Sequence, residues 1–460
     1  MQTQEHIAIV GAGLVGSLLA LNLSQRGYRV EVYERRADPR KQFKEGGRSI
    51  NLALSNRGWR ALDAVGLSQA VEEFALPMSG RQIHPLQESE RFSPYGKDGE
   101  AIYSVSRAGL NLMLLEKADE DPHVKLHFEH RSLEPDLDEL CLRFDCKGSI
   151  VERRYDRILG TDGAFSAIRT AMMKKPRFNY EQQYLDHGYK ELRIPPKANG
   201  DFALRPDALH IWPRKDFMMI ALPNPDHSFT CTLFMRYEGE HAFANITDEQ
   251  ETIAFFEQQF PDAVSLMPTL VEDFFQNPTA PLVTIRCAPW NYGHGVLLLG
   301  DASHAIVPFY GQGMNSGFED VHELMQQLDQ DQHNWTTSIP GFARQRKPKA
   351  DAIAELALHN FIEMRDLVDD PYFLRKRKLE QAIWNAFPQQ WTPLYSMVTF
   401  SHFSYYEALE RGKKQEQLLE DILSRENAET LMEEPEVSFK ARIQPYLVRL
   451  YPEVLEGETA

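Results

Sequence analysis

No apolar run in the chain approaches the ~20 residues that a bilayer-spanning helix requires, and no basic-then-apolar leader precedes the first strand-like run at His6. A membrane anchor and an export signal are therefore not expected. Cysteine is scarce. The four (Cys141, Cys146, Cys231 and Cys287) show no Cys-x-x-Cys spacing, which favours free thiols in a reducing, cytoplasmic setting over a disulfide framework or a thiolate metal site. Positive charge is in deficit: 50 Lys and Arg stand against 67 Asp and Glu, a net charge of −17. That disfavours nucleic acid or an anionic membrane surface as a partner, local basic patches aside. Neither His210 nor His304 has a second ligand at ligand spacing, so no metal is expected. Internal repeats and low-complexity segments are also missing.

What remains is a chain of ordinary globular composition, 42% hydrophobic and 25% charged over 460 residues, long enough for two or three domains. It is organised around its first thirty-odd residues. An apolar strand-like run (HIAIV, 6–10) meets Gly11-Ala12-Gly13-Leu14-Val15-Gly16. A small-residue helix follows over 14–25, then a second strand (RVEVY, 29–33) ending on Glu34-Arg35-Arg36. In this strand–turn–helix–strand setting the glycine pattern reads as a dinucleotide site. Gly11 permits the tight turn, Gly13 lets a pyrophosphate approach the backbone, and Gly16 lets helix and strand pack closely. The helix N-terminus, opening at Leu14, faces the phosphates. Glu34, 18 residues after Gly16, is placed to accept hydrogen bonds from ribose hydroxyls.

Further on, residues 46–54 read as a basic, Gly-rich turn entering an apolar segment, 92–99 as a turn, and 110–118 as an amphipathic helix. From about His187 the period changes to two: 187–194, 208–212, 217–222 and 228–236 are strand-like runs, the last three separated by short turns. This predicts an antiparallel sheet. Thr247-Asp248-Glu249-Gln250 reads as a capping box opening a helix that Pro261 stops. After about 341 the chain reads as helical. The predicted architecture is α/β: a Rossmann-like nucleotide domain over 1–180 and 286–340, interrupted by an antiparallel β-sheet domain over 181–285 and followed by a helical region over 341–460.

Two more glycine sites follow apolar runs. One is Gly160-Thr161-Asp162-Gly163. The other is Gly300-Asp301, continuing through Pro308-Phe309-Tyr310-Gly311-Gln312-Gly313-Met314-Asn315. A strand ending in Gly-Asp can set a carboxylate against a ribitol hydroxyl. The 311–315 loop can expose backbone N–H groups at a helix start, suited to a flavin carbonyl or developing negative charge.

Together the three glycine elements resemble the class A FAD-dependent aromatic hydroxylases over most of residues 5–335. The resemblance implies a GR2-type FAD domain, one non-covalent FAD, and NADPH as reductant without a second nucleotide domain. It implies FAD-binding positions at Leu14, Glu34, Arg35, Ala53, Arg107, Asp301, Gly313, Met314 and Asn315, and leaves Asp162 between cofactor and NADPH roles.

Within that class, residues 47–58 (GRSINLALSNRG), 93–99 (SPYGKDG), 187–192 (HGYKEL), 209–214 (LHIWPR), 220–234 (IALPNPDHSFTCTLF) and 395–401 (YSMVTFS) are similar to the kynurenine 3-monooxygenase family. The resemblance implies NADPH- and O2-dependent hydroxylation of L-kynurenine to 3-hydroxykynurenine through a flavin hydroperoxide. Arg81, Tyr95, Asn360 and Tyr395 then match positions that hold the amino-acid end of the substrate. Leu209, Met218, Ile220, Thr232 and Phe234 match the pocket for its aromatic ring. Pro308, Phe309, Tyr310 and Gly311 position ring and flavin. The ring already carries an ortho-amino group, so no general base is required. Taken alone, Arg81 is an ordinary surface ion pair, the two tyrosines are packing residues, and the β-strand side chains are sheet core. Asn360 lies on an apolar helical stripe with Ile353, Leu356 and Met364, where a backbone partner is the plain reading. The sequence departs from the family at Tyr310, where relatives carry Phe or His, and in the polar stretch 442–460, where eukaryotic members carry a membrane anchor. A soluble, bacterial-type enzyme is therefore expected. A class A hydroxylase of another aromatic acid and a flavoprotein with a redox-gated binding role stand as alternatives.

Overall fold

His6–Val10 is buried almost throughout, as a central parallel strand covered on both faces must be. The computed structural model describes residues 5–42, 51–97, 99–367 and 370–450. Part of the basic turn at 46–54, and the C-terminal stretch from 451 on, lie outside the described residues. His6–Val10 pairs in parallel with Arg29–Tyr33 on one side and Arg157–Gly160 on the other. Val124–His127 and Val296–Leu298 extend the sheet, and Asn291–Tyr292 closes it antiparallel, six strands in all. The first helix spans Leu14–Gln25. Gly11 has φ +107°, and a Cβ on Gly16 would stand 2.0 Å from the Gly11 carbonyl oxygen, so both glycines are sterically required.

The second sheet has seven strands in the order Ala280–Ala288, Asn179–Ile194, Phe229–Arg236, Met218–Pro223, Ala208–Pro213, Gly80–Ile83, Arg91–Pro94. The structure departs from the sequence reading at several points. Gly80–Ile83 and Arg91–Pro94 belong to this sheet although they fall within 1–180, and Gly80–Ile83 joins Ala208–Pro213 in parallel. Four residues of mixed polarity (GRQI) carry too little pattern to announce a strand, and Arg91–Pro94, which overlaps the stretch 92–99 expected as a turn, is an edge strand, where proline is tolerated. The helix start also moves by one residue. Asp248 caps Glu249–Gln259 by accepting from the Glu251 N–H, and Glu251 reaches back to the N–H and hydroxyl of Thr247. Aspartate is at least as good a cap as threonine, so the box starts at Asp248. Pro261 opens the next helical turn, Pro261–Val264.

The sheet's two faces pack differently, because alternate side chains point to opposite sides. Trp212, Met219, Cys231, Leu233 and Met235 face Phe256, Phe260 and Leu270. Ile211, Met218 and Phe234 face Val307, Phe309 and Tyr310, with Ile353 and Leu356 from the long helix Trp335–Ile362. That helix starts six residues before the expected boundary and runs into a π-helical turn, Glu363–Leu367. The remaining helices close over a separate core of Leu379, Ile383, Trp391, Leu419, Ile422 and Ile443.

A buried ionic cluster ties these parts together. Arg346 pairs with Glu319 at 2.9 Å and Asp320 at 2.7 Å, and His304 meets Asp320 at 2.6 Å. Arg57 pairs with Glu319 and donates to the carbonyls of Val398 and Phe403. Burial alone would raise both carboxyls. Arg346 and Arg57 around Glu319, and His304 and Arg346 around Asp320, outweigh it and hold both below the usual carboxylate range. A depressed folded-state value stabilises the fold above the ordinary carboxylate pKa, and the contribution is lost as pH falls through the depressed value. Arg346→Met leaves two buried carboxylates undercompensated and should cost roughly 3–5 kcal/mol, read as a lowered thermal unfolding temperature. Asp320→Asn should flatten the acid limb of stability below about pH 4 relative to the parent protein; an unchanged limb would show that Asp320 does not govern it.

Candidate active site

The expected cofactor residues cluster around two helix starts and the loops beside them. Gly13 caps Leu14–Gln25, and Gln312 caps Gly313–Gln330. Neither supplies a side-chain cap, so the first amides of both helices are left for another acceptor. A Cβ on Gly13 would meet nothing within 4 Å, and one on Gly313 only Ile306 at 3.9 Å, so both helix starts border open space. Glu34 is 7% exposed. It accepts from the Ala12 N–H at 3.2 Å and from the backbone N–H and Nε of Arg36 at 2.9 and 3.0 Å. Burial would raise its carboxyl, but Arg36 and these amides hold it below the usual range, so it is an anion. Arg35 and Arg107 are exposed. Asp301 is ringed closely enough by protein that burial pushes its carboxyl up, partly offset by Arg107, yet it keeps an exposed face, the mark of a side chain lining a concavity. Asn315 is fully buried and spends its side chain on the chain itself: Oδ1 accepts from the Ser55 N–H at 3.0 Å, and Nδ2 donates to the carbonyls of Ala53 and Gly311, both at 2.8 Å. It fixes the shape of the 311–315 loop, and Met314 is buried beside it.

Across that loop lies an aromatic and cationic cluster. Tyr95 and Tyr395 stack at 5.1 Å between centroids, Tyr310 stacks on Tyr395 at 5.6 Å, and the Arg81 guanidinium lies 4.8 Å from the Tyr395 ring and 5.4 Å from that of Tyr95. Arg81 Nε and the Tyr95 hydroxyl are buried without a hydrogen-bond partner. Such atoms are costly unless something else satisfies them. Burial raises the phenols of Tyr95, Tyr310 and Tyr395, so all three are neutral donors. Asn360 Nδ2 donates to the Phe309 carbonyl at 2.5 Å. Its partner is thus backbone, but backbone 51 residues away, on the 308–311 segment itself.

Phe309 in turn touches Phe234 (4.9 Å) and stacks on Phe361 (4.1 Å). Met218 and Phe234 share its core; Leu209 and Ile220 pack against both this core and the small one around Met78 and Ile102. Thr232 pairs with Ile220 across the strands and so faces the same side. Pro308 is exposed at the start of the turn Pro308–Tyr310.

The structure therefore brings Arg81, Tyr95, Tyr395, Asn360 and the sheet residues to one side of the 308–315 loop, and the glycine sites to the other. Sequence reasoning missed Glu363, whose Oε1 lies 3.9 Å from Arg81 and whose Oε2 pairs with Arg377 at 2.7 Å. The one signal was its position a single turn after Asn360. It also missed Gln312, which accepts from the Tyr405 hydroxyl at 2.9 Å and so anchors the loop to the helical region.

A family model described as an FAD binding domain matches residues 4–337. Kynurenine 3-monooxygenase of Flavobacterium johnsoniae is 47% identical over 442 residues, covering 96% of this chain and 98% of that one. The chain belongs to the kynurenine 3-monooxygenase family. The Myxococcus xanthus member is 45% identical over 98% of this chain and 96% of its own. Among solved structures, the tetrameric form of 2-methyl-3-hydroxypyridine-5-carboxylic acid oxygenase matches with a TM-score of 0.65 over 81% of this chain and 96% of that one. At 18% identity it shares the fold. Membership accounts for the two-sided layout, with an FAD fold on one side of the loop and a polar-ended apolar pocket on the other.

Glu34→Ala should weaken FAD binding by about 1.5–3 kcal/mol, the worth of hydrogen bonds to a charged acceptor. Flavin titration of the apoprotein reads the change, and an unaltered affinity would remove Glu34 from the cofactor site.

Proposed function

We infer that the protein is an FAD-dependent monooxygenase that uses NADPH and O2 to convert L-kynurenine to 3-hydroxykynurenine. The observation that carries this is the family match over 96% of the chain, and the Arg81–Tyr95–Tyr395 cluster supports it: a guanidinium whose buried Nε lacks a partner and a buried tyrosine hydroxyl, beside an apolar pocket, suit an amino acid with an aromatic end.

The residues present fit FAD. Two uncapped helix starts with open space at Gly13 and Gly313 suit its pyrophosphate and ring carbonyls, Glu34 suits a ribose, and Asp301, with Arg107 near it, suits the ribitol chain. FAD, when bound, accepts electrons from NADPH and activates O2. The chain's own contribution is placement. Arg81 grips the substrate carboxylate with its guanidinium fork, while the neutral Tyr95 and Tyr395 hydroxyls donate to the same end. Leu209, Met218, Ile220, Thr232 and Phe234 hold the ring flat and dry. Phe309 and Tyr310 fix its distance from the 311–315 loop, with Asn360 fastening Phe309 from behind. Orientation and water exclusion of this kind can supply much of a rate enhancement. The reacting ring is activated by its own amino group, and the three phenols stay protonated, so no side chain is assigned as a general base. All four cysteines are free, in keeping with work in a reducing cytoplasm. Among the described residues no helix is long and apolar enough to cross a membrane.

Arg81→Ala should cost about 2–5 kcal/mol in kynurenine binding, the range for truncating one partner of a buried charge pair. Arg81→Lys should recover part of it, keeping charge but not the fork. FAD content should not change, KM should rise, and more hydrogen peroxide should form per NADPH consumed, because a loosely held ring is misplaced. A decarboxylated analogue should bind the Arg81→Ala protein nearly as well as the parent. Equal losses for kynurenine and the analogue would make Arg81 structural.

A further inference from the structure

The face of the seven-stranded sheet turned away from the candidate active site carries a second group of titratable side chains, which the hydroxylation does not use. His84 directly follows the strand Gly80–Ile83. It is 2% exposed and lies flat on Trp212, with centroids 4.1 Å apart and planes at 15°. Its Nε2 is 2.9 Å from Nδ1 of His210, whose own Nε2 is 2.8 Å from the carbonyl oxygen of Arg205.

These contacts fix the protons. A carbonyl oxygen only accepts, so His210 carries its hydrogen on Nε2. With that hydrogen on Nε2, the neutral His210 ring leaves Nδ1 as a bare acceptor. His84 must then donate from Nε2. Its other nitrogen, Nδ1, points at two carboxylates, Asp262 Oδ2 at 2.8 Å and Glu90 Oε1 at 3.4 Å. A neutral His84 would aim a lone pair at two anionic oxygens with no hydrogen between them. Something positive belongs at that point.

We propose that His84 Nδ1, Asp262 and Glu90 form a binding site for a divalent cation of the zinc class. Imidazole plus carboxylates is a donor set such ions accept, with water completing the shell. The three ligand atoms lie within 4.8 Å of one another. Ligands bound at about 2.0–2.2 Å to one tetrahedral ion stand about 3.3 Å apart, so the His84–Asp262 contact, now 2.8 Å, opens by about half an ångström and the half-exposed Glu90 closes in when the ion enters. Each ligand also has the outer partner that metal sites use to aim theirs. His210 accepts from His84 Nε2. Trp212 Nε1 donates to Asp262 Oδ2 at 2.8 Å, and Gln82 Nε2 donates to Glu90 Oε2 at 3.1 Å. An ion here ties the hairpin that carries Arg81 to the helix Pro261–Val264. The expectation of no metal rested on the spacing around His210 and His304; His84 and Asp262 are 178 residues apart in sequence, so no spacing rule would pair them.

The test uses untagged, FAD-loaded protein stripped with a chelator and dialysed against buffered micromolar free zinc. Bound metal is counted by elemental analysis, and thermal unfolding is followed with and without zinc. One zinc per chain and a raised unfolding temperature are expected. Glu90→Gln and Asp262→Asn should each weaken zinc binding at least tenfold with FAD content unchanged. If Asp262→Asn does not fold, Glu90→Gln alone decides, since that side chain is half exposed. No zinc retained at micromolar concentration, or equal retention by the variants, would overturn the proposal.

Discussion

The arrangement depends on a pair of arginines buried against two adjacent carboxylates. Arg57 and Arg346 meet Glu319 and Asp320 inside the protein, with His304 on the far side of Asp320. Such clusters add little net stability over apolar packing, because desolvation consumes most of the attraction. Their effect is geometric: charges in a low-dielectric interior tolerate few alternative arrangements. Asp320 also accepts the Gly300 N–H at 2.8 Å, which sets the backbone before Asp301. Arg57 grips the carbonyls of Val398 and Phe403, just beyond Tyr395. One cluster thus holds the loop before Asp301 and the helix that carries Tyr395 in a common frame.

The proposed substrate pocket has no single owner. Arg81 comes from a short strand inside the nucleotide half of the sequence, Phe234 from the sheet, Phe309 from the loop, Asn360 and Tyr395 from the helical region. The Arg81–Tyr395–Tyr310 stack is what joins them. A domain division drawn along the chain therefore cannot describe the site. The pocket exists only once the hairpin bearing Arg81 has crossed to the sheet and the long helix has laid Asn360 under Phe309.

Much of this was legible in sequence where one local pattern carried the physics. The first strand, helix and second strand fall at the expected residues because glycine spacing and apolar runs act over neighbouring positions. The sheet strands after His187 showed their alternation. The short strand Gly80–Ile83 did not, since four mixed residues have no period. The cap at Asp248 was misplaced because Thr247 offers nearly the same chemistry. Arg81, Tyr95 and Tyr395 were reachable only through family resemblance: each is ordinary alone, and their meaning comes from a stack between residues up to 314 positions apart. Glu363 offered only its position one turn after Asn360, and the Arg57–Glu319 pair gave no sign at all, for the same reason.

The two uncapped helix starts are packed together: a Cβ on Gly317, in the first turns of one helix, would lie 2.6 Å from Val15 Cγ2 at the start of the other. Two positive dipole ends at such close quarters repel. An anion bound between them would therefore contribute to folding as well as to chemistry. By mass action its stabilisation grows with the logarithm of its concentration, about 2.7 kcal/mol at a hundredfold excess over Kd. The cell's flavin supply then becomes a determinant of how much of this protein stays folded, and cofactor starvation would be felt first as a shortened lifetime of the polypeptide.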